Sequence, residues 1–346
     1  MGPAAGASSI RIARSPFAGS SSRGKGIVNV SVVITCHNEE GTIEQAVRSV
    51  EAQTSFDAVA EIIVVNDGSH DGSKVVLERL AGSIEKLRII ETPKLGQSAA
   101  RNRGLREAKG ELIAILDGDD FWTPEKLARQ VPAFTRSGNI GLVYGDFVGF
   151  SRGDATDGRV ITVRRFDPDS PHQLRDYFVH DGPIMPSTAM IRRSVFDDVG
   201  LFEESLRIGE DTEFCLRLAE KWRFCYVPGA FTFKRRHRRQ LSWRLDALLP
   251  SAAVTTEYVS SRHPELRPLA GRRMARLQTK VSADCATKGE RRKALRHNIT
   301  AIHLAPLYWR AWASLVLLLV PVSVVRPVYE GLKGPWHALR QLRYSA

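Results

Sequence analysis

Cysteine is scarce in this chain, with 4 in 346 residues. Cys36, Cys215, Cys225 and Cys285 form no C-x-x-C pair, which argues against a Cys-based zinc site and a disulfide framework and suits a reducing, cytosolic setting. An apolar h-region is missing from residues 1–29, so they do not read as a signal peptide. Their Gly, Ala, Ser and Arg content reads instead as a disordered tail. No G-x-G-x-x-G follows the first apolar run, which argues against a dinucleotide-binding Rossmann domain. Acidic residues are thin at one end only. From Lys234 onward 22 Lys and Arg stand against 6 Asp and Glu, whereas the preceding residues hold 28 against 32. A mildly acidic body with a strongly basic tail points to a membrane- or nucleic-acid-facing segment.

What is present is an ordinary globular mixture, 43% hydrophobic and 25% charged, long enough for one large domain or a domain with an appendage. Val30–Thr35, Ile62–Val65, Leu87–Ile90 and Glu111–Leu116 are short, rich in Val and Ile, and end in polar clusters, as buried parallel strands do. Helical patterns occupy Glu40–Gln53, Ser73–Leu80 and Gln97–Ala108 between them. This alternation predicts a doubly wound α/β sheet, whose ligands sit beyond the carboxyl ends of the strands. "CHNEEG", "NDGSHDGS" and "DGDDFW" all fall at such ends, so they should gather along one rim. Further on, strands are expected at Leu142–Val148 and Ser187–Ile191, a polar loop at Arg152–Asp169, and a helix over Gly209–Trp222 headed by Glu210 and Asp211. From Ser242 the chain reads as helical, basic and apolar by turns.

"LDGDD", Leu116 to Asp120, places three carboxylates in four positions after a buried run. A surface turn would use the same residue types. Three mutually repelling acids are also what a hard divalent cation with substrate phosphates resolves. In "NDGSHDGS", Asp71 suits an Asx turn before the next helix, while Asp67 stands at the strand end, where it could accept from a base N–H. Glu210 and Asp211 read either as a charge pair at a helix start or as two adjacent acids at a cleft, one with a raised pKa fit for proton transfer.

The stretches "VSVVITCHNEEGTIEQAVRSVEAQT", "EIIVVNDGSHDGS", "GQSAARNRGLREAKGELIAILDGDDFWTPEKL" and "GEDTEFCLRLA" occur in one order and spacing. In this they resemble the inverting family 2 glycosyltransferases, over about Val28 to Ser242. The resemblance implies a GT-A fold, a Rossmann-like mixed α/β sheet. A nucleotide half would span about 30–139, an acceptor half about 140–241, and a basic helical C-terminal region 242–346. It also implies transfer of a single sugar, with inversion, from a nucleotide-diphospho-sugar such as a uridine diphosphate sugar to a hydroxyl of a glycan or lipid-linked acceptor. Thr35 and Glu39 would border the nucleoside, Asp67 would accept from the uracil ring, and Asp117 would face the ribose. Asp119 would hold Mg2+ or Mn2+, and Asp120 would cap or orient. Arg101 matches a recurrent basic position, either facing the nucleotide or packing and pairing structurally. Asp211 matches the catalytic base, with Glu210 beside it. In "KRRHRRQLS", His237 would be a metal ligand and Arg235 or Arg236 a partner of the diphosphate; a plain basic surface run is the alternative. "PST" at Pro186–Thr188 matches an acceptor-side strand, near His180 and Asp181. Cys36 and His37 stand where the family usually has Pro and Tyr.

A nucleic-acid-binding protein would leave the acidic rim without a purpose, so no nucleic acid is expected. An inactive carbohydrate- or nucleotide-binding descendant would be expected to lose Asp119 or Asp211, and both are present. A nucleotidyltransferase would share the metal site, and only its product would distinguish it. The Q-x-x-R-W motif and multiple spans of the family's synthases are missing, which favours single transfer over polymerisation. Ala311–Val325 falls short of the about 18–20 apolar residues of a span and contains Pro321. Rather than as a transmembrane helix, it reads as a core helix or, with Trp309, Arg310, Trp312, Arg326, Tyr329, Lys333, Trp336, Arg340 and Arg343 around it, as a peripheral anchor on the anionic inner membrane face.

Overall fold

Four Val- and Ile-rich strands form the frame of the computed structural model, which describes residues 28–151, 153, 155–181, 184–236 and 245–319. They are β1 (Val30–Cys36), β2 (Val59–Asp67), β3 (Leu87–Thr92) and β4 (Leu112–Asp117). β1 lies between β2 and β4, β3 flanks β2, and all three pairings are parallel. Both faces of β1 are buried, and its alternate residues enter different cores. Val32 and Ile34 point to one side, with α1 (Ile43–Glu51) and α2 (Ser73–Ala81); Val33 points to the other, with α3 (Gln97–Glu107). Gly104 lets α3 settle onto the sheet: a Cβ there would lie 2.5 Å from Val33 Cγ1. The expected strands and helices of this half are all present, with ends shifted by a few residues.

The sheet continues with β5 (Phe121–Trp122), β6 (Ile140–Phe150), β7 (Arg159–Ile161), β8 (Met190–Arg192) and β9 (Arg223–Arg235). Its order is β3-β2-β1-β4-β8-β6-β9-β5, with β7 on β6. β8 runs antiparallel to β4 and β6, while β6 and β9 are parallel. The sheet is therefore mixed rather than wholly parallel. Helices α4 (Lys126–Gln130), α5 (Gln173–His180), α6 (Arg193–Val199) and α7 (Glu210–Lys221) complete this part.

Two sequence expectations need correction here, and one strand went unread. Pro186–Thr188 forms a 3-10 turn and the strand begins only at Met190, because proline supplies no ladder N–H. The polar 152–169 stretch includes β7. The 13-residue β9 gave no apolar-run signal: Pro228 and Gly229 interrupt it, many of its side chains are half-exposed, and it ends in Lys234 and Arg235.

Helices α8 (Leu248–Arg262), α9 (Arg267–Thr287), α10 (Arg291–Leu304) and α11 (Trp309–Leu319) follow. Val259 of α8 and Leu266 just before α9 share one apolar cluster with Phe178, Phe214 and Phe224, so α8 and the start of α9 join the core of the α/β part. Arg273 of α9 fastens the two together. It is fully buried, its Nη1 donates to the Phe178 carbonyl at 2.6 Å, and it pairs with Asp181. Among the described residues no helix is long and apolar enough to cross a membrane. The expected N-terminal tail up to residue 27, His237, Ser242 and residues 320–325 of the apolar stretch lie outside the described residues.

Candidate functional site

The carboxyl ends of β1, β2 and β4 meet at one rim, as the alternation of strands and helices implied. Their loops are tied together by short polar contacts. His37 Nδ1 lies 2.6 Å from the Asp67 carbonyl, and Asn38 N–H donates to Ser69 Oγ at 2.9 Å. Glu39 N–H donates to Ser73 Oγ at 2.8 Å, and Asp71 makes the expected Asx turn with Ser73 N–H at 3.0 Å. Asp67 is buried, and its carboxylate accepts from Thr92 Oγ1, Leu95 N–H and Gly96 N–H at 3.0, 2.7 and 2.8 Å. A carboxylate has about four acceptor positions, so roughly one remains for a further donor.

The acidic turn after β4 is built around fixed cations. Asp117 Oδ1 lies 3.2 Å from Arg101 Nη2, and Asp117 Oδ2 lies 3.7 Å from Lys234 Nζ. Burial would raise this carboxyl's pKa, but Arg101 and Lys234 hold it below its ordinary value. Asp120 is buried, with Lys234 Nζ at 3.2 Å and Arg235 N–H donating to its Oδ1 at 3.0 Å. Its pKa is raised by burial, with Lys234 opposing and Asp119 and Asp117 adding to the rise. Ser187 in the 3-10 turn accepts from Asp117 N–H at 3.1 Å, so this turn supports the acidic loop. Arg235 Nε donates to the Asp119 carbonyl at 3.1 Å, and its Nη2 donates to Gln45 Oε1 at 2.9 Å.

Ligand oxygens of Asp117, Asp119 and Asp120 all lie within 4.8 Å of one another. Glu39 is the fourth acid: its Oε2 is buried without a hydrogen-bond partner, and a Cβ on Gly118 would come within 2.1 Å of it. Burial first, then Asp119, Asp117 and Asp120, push the Glu39 carboxyl well above its ordinary range. An all-oxygen donor set with an unpartnered buried carboxylate oxygen fits a hard divalent cation such as Mg2+ or Mn2+. Thr35 is nearly buried, and its carbonyl accepts from Gly118 N–H at 2.9 Å.

Of the two readings of Arg101, packing and structural pairing is the one its surroundings match. It is 0% exposed. One terminal nitrogen meets Asp117, the other lies 3.3 Å from Glu210 Oε1, and the guanidinium stacks 4.9 Å from the Phe202 ring. It therefore meets the acidic turn through Asp117. Across this bridge, Asp211 stands half-buried in the first turn of α7, its Oδ1 accepting from Thr212 N–H at 2.7 Å. Burial and then the neighbouring Glu210 push its pKa up from 3.8 to about 7. Arg236 is exposed just beyond β9, its N–H donating to the Phe150 carbonyl at 2.7 Å.

Sequence reasoning passed over Lys234 as an individual. Its signal was strand phase: in "FTFKR" Lys234 alternates with the aromatic Phe231 and Phe233 and so faces away from them. It also passed over Arg273 and Arg276 of α9, which hold the two oxygens of Asp181, Arg276 at 2.5 Å.

Residues 31–200 match the model described as glycosyl transferase family 2. Over 150 residues the chain is 38% identical to an uncharacterized glycosyltransferase of Nostoc sp., an alignment that covers 43% of this chain and 44% of that protein. It is 36% identical, over 34% of this chain and 45% of the relative, to the UDP-Glc:alpha-D-GlcNAc-diphosphoundecaprenol beta-1,3-glucosyltransferase WfgD of Escherichia coli. The matched part spans less than half the length of either relative. The mannosyltransferase PcManGT from Pyrobaculum calidifontis, solved with GDP-Man and Mn2+, superposes with a TM-score of 0.54 at 19% identity, over 88% of this chain and 80% of that one. At that identity the likeness is one of fold.

The raised pKa of Asp211 has a stability consequence. Between its ordinary 3.8 and about 7 the folded protein holds a proton that the unfolded chain has lost, so stability falls as pH rises through that window. Asp211→Asn should melt at a higher temperature than the parent at pH 8, and the gap should close at pH 4. A gap of the same size at both pH values would show that the ionised carboxylate is not destabilising in the fold.

Proposed function

Since residues 31–200 make the chain a member of glycosyl transferase family 2, with a GT-A fold, we propose that it transfers a single sugar from a uridine diphosphate sugar to a hydroxyl of a lipid-linked or glycan acceptor, inverting the anomeric carbon. The observation that carries this reading is the Arg101 bridge. It joins Asp117, at the end of a nucleotide-side strand, to Glu210, the neighbour of Asp211. Thr35, Asp67 and Asp117 form the nucleoside side, and the remaining acceptor position of Asp67 suits a ring N–H. Asp211 is the general base, and a carboxyl titrating near neutrality suits that task. It takes the acceptor hydroxyl's proton as that oxygen attacks opposite the leaving group. The new C–O bond forms while the bond to the diphosphate breaks, and its electron pair passes to the diphosphate oxygen.

Asp119 would hold the divalent cation, with Glu39 and Asp120 close by. A bound cation of this kind neutralises charge on a departing diphosphate. Lys234 balances Asp117 and Asp120, and Arg235 fixes the turn that carries Asp119. The exposed Arg236 would pair with the diphosphate. A glycolipid acceptor is supported by the relative WfgD, whose name specifies a diphosphoundecaprenol-linked sugar.

Nucleotide and metal should bind together. Uridine diphosphate should raise the melting temperature much more with Mn2+ than with a chelator, and Asp119→Ala should remove that difference. Asp211→Asn should still bind nucleotide while losing transfer by about 10²–10⁴-fold. Equal stabilisation with and without metal, or an unaltered transfer rate in folded Asp211→Asn, contradicts the corresponding role.

The C-terminal helices support peripheral association with an anionic membrane face. Leu307, Trp309 and Val316 are 98%, 59% and 61% exposed, with Leu304 and Trp312 also exposed nearby. Arg296 and Arg310 lie on the same pair of helices. Apolar and aromatic side chains beside basic ones suit the headgroup boundary. In flotation with phosphatidylglycerol vesicles at low salt, the protein should rise with the vesicles, and Leu307→Ser with Trp309→Ser should leave most of it below. A parent protein that stays below under these conditions overturns the membrane reading.

A further inference from the structure

Helix α9 places three cations on one stripe, Arg273, Arg276 and Lys280, spaced three and four residues apart. They face the acceptor side, where Asp181 ends α5 in a left-handed conformation with φ 35°. Asp181 is shared by both arginines. Arg273 is fully engaged, since its Nε donates to Thr256 Oγ1 at 2.9 Å and its Nη1 serves Phe178 and Asp181. Arg276 is not: its side chain is 21% exposed, and its Nε is buried without a hydrogen-bond partner. Lys280, one turn further on, is exposed and makes no ion pair within the described residues. Partial burial and then Arg276 lower its pKa, while Asp181, Asp211 and Asp284 pull it upward. Lys280 thus lies within the electrostatic reach of the proposed base.

The charges of this stripe do not balance. Three cations meet the single carboxylate of Asp181; of the other acids in the field, Asp211 and Asp284, the latter is paired with Lys288. Burial first lowers the pKa of Arg276 itself, Asp181 and Tyr308 oppose, and Arg273 adds to the lowering. Like charges gathered in a sheltered place destabilise the fold unless an anion joins them. A group bearing two negative charges would neutralise the excess, and a phosphate would give both the Arg276 fork and the Lys280 amine oxygens to bind.

We propose that Arg276 and Lys280 bind a phosphate carried by the acceptor, which sets the acceptor hydroxyl against Asp211. The inference rests on the reading of Asp211 as the base, and it adds the substrate class, an acceptor with phosphate close to its reacting sugar. These two are positioning residues, since neither touches the reacting atoms.

The test measures binding to the full chain with uridine diphosphate and Mn2+ at saturation, so that the donor's diphosphate position is filled. The probes are decyl-diphospho-N-acetylglucosamine, the decyl glycoside of the same sugar, and inorganic pyrophosphate. The diphosphate-linked sugar should bind more tightly than either other probe, and Lys280→Ala and Lys280→Glu should weaken it by about tenfold or more, without altering affinity for the glycoside. Circular dichroism of the exposed-site Lys280 variants checks that they fold. Three results overturn the proposal: equal affinity for diphosphate and glycoside probes, a Lys280→Glu variant that binds the diphosphate probe as the parent does, or pyrophosphate binding as tightly as the sugar-linked probe. Phosphatidylglycerol vesicles showing the same Lys280 dependence would also overturn it, making the stripe a membrane-facing surface. Failure of uridine diphosphate and Mn2+ to bind at all would count instead against the proposed function.

Discussion

A single buried guanidinium holds the two halves of the site together. Arg101 has no exposed surface, yet it carries a full charge between Asp117 and Glu210. Burial alone would lower its pKa; the two carboxylates instead hold it above the ordinary value. Removing either partner from such an arrangement leaves an uncompensated buried charge, which costs more than the pair contributes. The end of β4 and the start of α7 are therefore fixed relative to each other, and with them the acidic turn and Asp211. Phe202 closes the other face of the guanidinium.

The rest of the rim follows the same logic of paired charge. Asp117 and Asp120 share Lys234, which reaches them because β9 pairs antiparallel with β5, Phe233 opposite Phe121, directly after the acidic turn. Glu39 lacks such a partner and its carboxyl titrates high, which leaves a place for a cation from solution. Around α9, the sign reverses. There Arg273 and Arg276 share the single carboxylate of Asp181. A basic C-terminal region that looked like an appendage in composition thus shares both the core and the charge pattern of the acceptor side.

The nucleotide half was legible because its strands are buried on both faces and so read as unbroken Val and Ile runs. The same burial placed "CHNEEG", "NDGSHDGS" and "DGDDFW" on one rim. The elevation of the Asp211 pKa by burial and by an adjacent acid was also readable, since Glu210 is its neighbour in sequence. β9 was not, because a half-exposed strand broken by Pro228 and Gly229 and ending in basic residues carries no apolar period. Arg101 was visible as a basic residue in a helix, but a local pattern cannot say which carboxylates, 16 and 109 residues away, will meet it. Lys234, Arg273 and Arg276 were obscured in the same way: their partners come from distant segments.

The most direct measurement of this account is a double-mutant cycle in urea unfolding with Asp117→Asn and Glu210→Gln, run in the parent and in Arg101→Met. If Arg101 bridges the two acids, removing both should cost more than the sum of the single changes, by about 1 kcal/mol or more, because the guanidinium is then left wholly unpaired. The excess should vanish in Arg101→Met. Additivity within about 0.3–0.5 kcal/mol in the parent would contradict the bridge.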